Sequence, residues 1–114
     1  MSNVTIWHNP RCSKSRATLT LIEEAGFTPE VRLYQDNAPT ADEIRAVLEL
    51  LEISPSDLIR TGEALYKEMN LKEADNDALI NAMAAHPRLI ERPVVLAKNK
   101  AALGRPPESV LDIL

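Results

Sequence analysis

The sequence predicts an α/β domain with a four-stranded mixed sheet and a helical insertion between its two halves. Three observations carry this. A β-branched run near the N-terminus, a helix pattern and a second alternating run make a β-α-β unit. A proline-headed run near the C-terminus is followed by a turn, another short run and a final apolar pattern. The stretch between these halves carries helix signals only. The 114 residues suit one domain, 1–114, with the insertion at approximately 40–86.

Val4-Thr5-Ile6-Trp7 has the β-branched and aromatic composition of a buried strand, ended by Asn9-Pro10. From Ser13 the chain favours helix, with Ala17, Leu21, Ile22 and Ala25 spaced for one buried face and Gly26 as the stop. In Glu30-Val31-Arg32-Leu33-Tyr34, Val31 and Leu33 alternate with polar neighbours, as in a strand with those two residues on the core. A right-handed crossover makes the two strands parallel.

Thr40-Ala41-Asp42-Glu43 matches a capping box, and Ile44, Val47, Leu48 and Leu51 follow at helical spacing. Ser54-Pro55 reads as an N-cap and a first helical position. Further short helices are expected at Glu63–Met69 and Asp77–Ala85, the latter ended by His86-Pro87. Pro93–Ala97 returns to strand composition and, after Lys98-Asn99-Lys100, Ala101–Leu103 pairs with it antiparallel. Beyond Arg105-Pro106-Pro107, Val110, Leu111 and Leu114 mark a closing amphipathic helix. The order β-α-β, helical insertion, β-β-α is the thioredoxin-like one.

Composition narrows the function. Hydrophobic residues at 45% and charged residues at 26% exclude a disordered or collagen-like chain. Thirteen Lys+Arg against seventeen Asp+Glu leave a net charge of −4, poorly suited to a polyanionic partner, so no nucleic acid is expected. The first ten residues lack a basic region followed by an apolar one, and no run approaches the roughly 18 apolar residues of a membrane span. The expectation is a cytoplasmic monomer with no membrane partner.

Cys12 is the single cysteine, which rules out a disulfide within this chain and leaves a cysteine-rich zinc site unsupported. His8 and His86 are too few and too far apart to suggest a metal centre, so no metal is expected. A lone cysteine is either a small buried hydrophobe or a nucleophile. Here it stands in a loop between strand and helix, with Arg11, Lys14 and Arg16 beside it and Ser13 and Ser15 as hydroxyl partners. A helix N-terminus lowers a thiol pKa through unpaired N–H groups and the helix dipole, and the same groups can cradle an oxyanion.

The run Trp7-His8-Asn9-Pro10-Arg11-Cys12-Ser13-Lys14-Ser15-Arg16 resembles the active-site loop of the glutaredoxin-coupled arsenate reductase family. The resemblance extends through Leu58-Ile59-Arg60, His86–Val95 and Gly104-Arg105-Pro106. It implies that Cys12 attacks arsenic and that Arg60, Arg92 and Arg105 bind the oxyanion and the covalent intermediate. Each arginine has the alternative of a solvated surface charge. Planar guanidinium groups would give arsenate bidentate hydrogen bonds and neutralise it as the thiolate approaches; otherwise two anions would meet unassisted.

Arg92 directly precedes Pro93 and a strand, where thioredoxin-like folds place a cis-proline beside the cysteine. Ser15, three residues after Cys12, is the candidate for thiolate stabilisation, since the family has a hydroxyl there. His8 either helps hold the thiolate or is a hydrogen-bonded loop residue, while His86, Trp7, Tyr34 and Tyr66 read as structural.

The resemblance further implies glutathione as co-substrate, glutaredoxin as partner and no bound cofactor. Cys12-Ser13-Lys14-Ser15 also reads as a monothiol form of C-x-x-C, making a glutathione-dependent monothiol oxidoreductase the main alternative. A non-catalytic RNA polymerase-binding stress regulator is the third, although such proteins commonly use a paired-cysteine switch.

Overall fold

In the computed structural model, which describes residues 4–114, four strands form one sheet. They are β1 (Val4–Trp7), β2 (Glu30–Arg32), β3 (Val94–Ala97) and β4 (Lys100–Leu103), in the spatial order β2-β1-β3-β4. β2 runs parallel to β1, whereas β3 is antiparallel to both β1 and β4, giving the mixed sheet the sequence predicts. The most apolar strands take the centre, because both of their faces must be covered.

The chain divides into two compact units, one built from the residues up to Asn37 together with Arg92–Leu114, the other from Ala38–Glu91. In the first unit, cross-strand pairs Val4↔Ala97 and Ile6↔Val95 put four buried side chains on one sheet face. Ile22 of α1 (Ser13–Glu24) packs on that patch with Val110 and Ile113 of the closing segment. Each such aliphatic burial contributes about 1.5–3 kcal/mol. The β3–β4 turn is the pair Lys98-Asn99, both at positive φ (53° and 60°), as a two-residue hairpin of matching twist requires.

α1 stops where expected. Gly26 has φ 94°, its N–H bonds to Glu23 O, and the Phe27 N–H bonds to Ile22 O, the paired bonds of a Schellman end. The buried face differs from the expected one: Ser15, Thr18 and Ile22 are covered, while Ala17 and Ala25 are exposed. Small hydroxyl residues can turn inward because their oxygens are satisfied locally, as Thr18 Oγ1 is by Lys14 O at 2.7 Å.

The second strand also departs from expectation. It ends at Arg32, and Val31 and Leu33 are exposed at 44% and 42% instead of facing the core. Alternation separates two faces without saying which is covered, and β2 is an edge strand. Arg32 lies on the Trp7 face, its guanidinium 5.7 Å from the ring centre, and Tyr34 is buried. Leu33 O accepts the N–H groups of Asp36 and Asn37, turning the chain there.

In the second unit, α2 (Ala41–Leu51), α3 (Pro55–Leu58), α4 (Ala64–Glu68) and α5 (Asn76–Ala85) follow in order. The Thr40–Glu43 capping box is formed in both directions. Ile44, Val47 and Leu48 of α2 and Leu79, Ile80 and Met83 of α5 supply buried faces, and the two helices pack together. Ser54 stands at the N-cap of α3, yet its hydroxyl reaches Asp57 Oδ2 (3.1 Å) rather than a backbone N–H. α5 begins one residue earlier than expected because Asp75 caps it through Ala78 N–H. An antiparallel bridge Ile59↔Ile90 ties the residue after α3 to the end of this unit.

The closing segment Pro107–Ile113 is a 3-10 helix, not an α-helix. Its three-residue period buries Val110 and Ile113 and leaves the expected core residue Leu111 43% exposed.

Candidate active site

The loop from His8 to Cys12 carries β1 into α1. The His8 N–H extends the β1–β2 ladder to Arg32 O (2.8 Å), and the Cys12 N–H closes a turn on Asn9 O (3.0 Å). Asn9 Oδ1 accepts the Arg11 N–H at 3.0 Å, an Asx turn that explains an Asn-Pro pair at this point. Cys12 becomes the N-cap of α1, with extended backbone (φ −96°, ψ 123°) and no acidic residue in the first turn. Its sulfur therefore sits where helix N–H groups are unpaired.

Several groups act on the half-buried sulfur. Burial pushes the thiol up; against it work the Ser15 N–H, the charge of Arg92, the Lys14 N–H and a hydrogen bond from Arg92. The opposing group wins, and the Cys12 thiol lies below its ordinary value.

The Ser15 hydroxyl is fully buried and engaged elsewhere than the sulfur: Oγ lies 2.7 Å from His8 Nδ1 and accepts the Asn9 N–H at 3.0 Å. Burial, followed by the nearby Arg16 charge, lowers the His8 pKa, which favours neutral imidazole. In the Nε2–H tautomer the serine donates to Nδ1 while accepting from Asn9. Arg16 in turn donates from Nη1 to Pro10 O at 2.8 Å. The loop is thus bound to the first turn of α1 from both sides.

Arg92 and Arg105 come from opposite ends of the β3–β4 hairpin, which the register Val94↔Leu103 brings side by side. Both precede cis-prolines, Pro93 and Pro106. Gly104 donates its N–H to Pro93 O at 3.0 Å, and Arg105 Nε donates to Arg92 O at 2.9 Å. A Cβ at Gly104 would collide with Thr18 Oγ1 and lie 2.6 Å from Pro93 Cγ, so only glycine lets the hairpin end meet α1 this closely. The sequence contains Gly104-Arg105-Pro106 as a motif, but the need for glycine becomes visible only when three segments converge.

Cys12, Ser15, His8, Arg92 and Arg105 are therefore linked through one set of contacts. Arg60 belongs to the Ala38–Glu91 unit. There its N–H bonds to Leu89 O (2.7 Å), Nη1 pairs with Glu63 Oε1 (2.8 Å), and Nε lies 3.8 Å from Glu91 Oε1. Among the described residues no group of three or more His, Cys, Asp or Glu is gathered as a metal site would need, and no helix is long and apolar enough to cross a membrane.

A thioredoxin-like sheet that presents one cysteine at the start of its first helix, with an arginine preceding a cis-proline beside the sulfur, defines a thioredoxin-fold protein with a monothiol site. The chain belongs to the ArsC family, whose family model matches residues 7–113. It is 50% identical over 114 residues to the Escherichia coli K12 protein YfgD, covering 97% of this chain and 96% of that one. It is 47% identical over 117 residues to an arsenate reductase of Neisseria meningitidis serogroup B, covering 100% of both. Among solved structures, an arsenate reductase from Vibrio cholerae superposes with a TM-score of 0.95 at 46% identity, over 97% of each chain.

Proposed function

We propose that this chain is an arsenate reductase that uses the Cys12 thiolate, with glutathione as co-substrate and glutaredoxin as the regenerating partner. The observation that carries the reading is the environment of the sulfur, where two helix N–H groups and the Arg92 guanidinium together hold the thiol below its ordinary pKa. The names of the Neisseria and Vibrio relatives support the same reading.

The Cys12 thiolate forms a sulfur–arsenic bond and one arsenate oxygen leaves as water, taking up protons. A glutathione thiol then adds to arsenic, giving a sulfur–arsenic–sulfur adduct. Formation of a disulfide between the two sulfurs delivers two electrons to arsenic, which departs as arsenite. Glutaredoxin takes the glutathione from Cys12, because this chain has no second thiol to do so. Arg92 and Arg105 neutralise the incoming dianion and the charge that shifts onto its oxygens; Arg60 joins them by family resemblance. Ser15 and His8 hold the loop that carries the nucleophile.

The test is NADPH consumption with purified protein, glutathione, glutaredoxin and glutathione reductase, with and without arsenate, and with Cys12→Ser as the blank. Arsenate-dependent turnover absent from the blank is the expected result. Turnover with a mixed disulfide but none with arsenate would overturn it in favour of the monothiol oxidoreductase.

A further inference from the structure

A cavity of about 240 Å³ opens beside the cysteine loop, between the turn that carries Pro10 and Arg11 and the chain that leaves β2 at Leu33, Gln35 and Asp36. We propose that it is the subsite for the zwitterionic γ-glutamyl end of the thiol co-substrate, an inference that rests on the glutathione-dependent reading above.

Three observations converge. The first is charge: Arg11 and Asp36 line the same cavity, and among the described residues neither side chain forms an ion pair or hydrogen bond. An amino-acid head carries one carboxylate and one ammonium, matching an unpaired guanidinium and an unpaired carboxylate, with the Gln35 amide beside them. The second is Leu33. Its alternation pattern marks it for burial, yet it is 42% exposed, and the cavity wall is where its apolar surface lies, with Pro10 on the other side. Methylene groups of a γ-glutamyl arm would cover it.

The third is reach. Arg11 is one peptide from Cys12, about 3.8 Å between Cα atoms. A head group held at Arg11 leaves the thiol on an arm several bonds long, able to approach the arsenic on the neighbouring sulfur. The cavity holds an amino-acid-sized group; the remainder of the tripeptide would extend over the loop.

The experiment is an amide ¹⁵N NMR titration of the full chain with two unreactive probes: S-methylglutathione, and the same thioether with the γ-glutamyl ammonium replaced by hydrogen. The expected result is saturable shifts concentrated in residues 8–11 and 33–36, with Asp36→Asn and Arg11→Gln each weakening S-methylglutathione about three- to tenfold. Removing the ammonium should cost wild type the same factor and Asp36→Asn nothing further. Equal binding of both probes to wild type, shifts centred elsewhere, or no saturable binding would overturn the subsite. Coupled turnover separates this from the parent reading. Arsenate-dependent activity without binding at this cavity sinks the subsite alone, whereas binding here without arsenate dependence supports the subsite and sinks the reductase assignment.

Discussion

Arg105 donates from Nε to the main-chain carbonyl of Arg92 at 2.9 Å, so the side chain of one arginine fixes the backbone that aims the other at Cys12. The two guanidinium groups are therefore not independent sources of positive charge. Replacing Arg105 should disturb the position of Arg92 as well as remove a charge, and lysine, lacking the planar Nε donor, is a poor substitute.

The contribution of Arg92 to the sulfur can be read from thiol reactivity. The rate of Cys12 alkylation by iodoacetamide should rise with pH through an inflection below the ordinary value of a cysteine thiol. In Arg92→Gln burial continues to oppose ionisation while the charge and one hydrogen bond are gone, so the inflection should move upward. An unchanged inflection would mean that the helix N–H groups suffice alone.

The loop should depend on Ser15 for stability more than its size suggests. Ser15→Ala leaves the Asn9 N–H and His8 Nδ1 without their shared oxygen, a loss of about 1–3 kcal/mol by urea denaturation. The lowered His8 pKa adds a pH signature. The unfolded histidine takes up a proton near pH 6.5, before the buried one does. Wild-type stability should therefore fall as pH drops through that value and level off below the folded-state pKa. His8→Asn should lack this part of the acid-side loss.

Gly104→Ala should act at a distance from the sulfur. The added methyl meets Thr18 and Pro93, and separating those segments costs about 1–3 kcal/mol. Because Pro93 follows Arg92, the inflection of Cys12 alkylation should shift as well. Adding Thr18→Ala should recover part of the lost stability by removing one of the two collisions.

Central elements were the most legible in the sequence. The strand Val4–Trp7 and the capped helix from Ala41 follow from apolar runs and a capping box whose signals are local. Val31 and Leu33 lie outside the core despite their spacing because alternation is symmetric between faces, and an edge strand with half its backbone free can leave apolar side chains outside. Ala17 yielded its expected buried place to Ser15 and Thr18, whose inward orientation depends on acceptors and donors such as His8 that no periodicity reports. At the site, Cys12 was visible from its neighbours in the chain. The Arg105–Arg92 hydrogen bond was not, since it depends on two strand ends meeting across a hairpin.

The turn at Lys98-Asn99 works as a ruler for that meeting. With both residues in the left-handed region, the hairpin has no slack, and Val94 falls opposite Leu103. The next positions along, Pro93 and Gly104, then meet, and Arg105 comes within reach of Arg92 O. One residue more in the turn would put the far strand out of phase by a half period, sending Arg105 to the opposite face of the sheet. The distance between the two guanidinium groups is thus measured out at the far end of the hairpin, by a turn that takes no part in the chemistry.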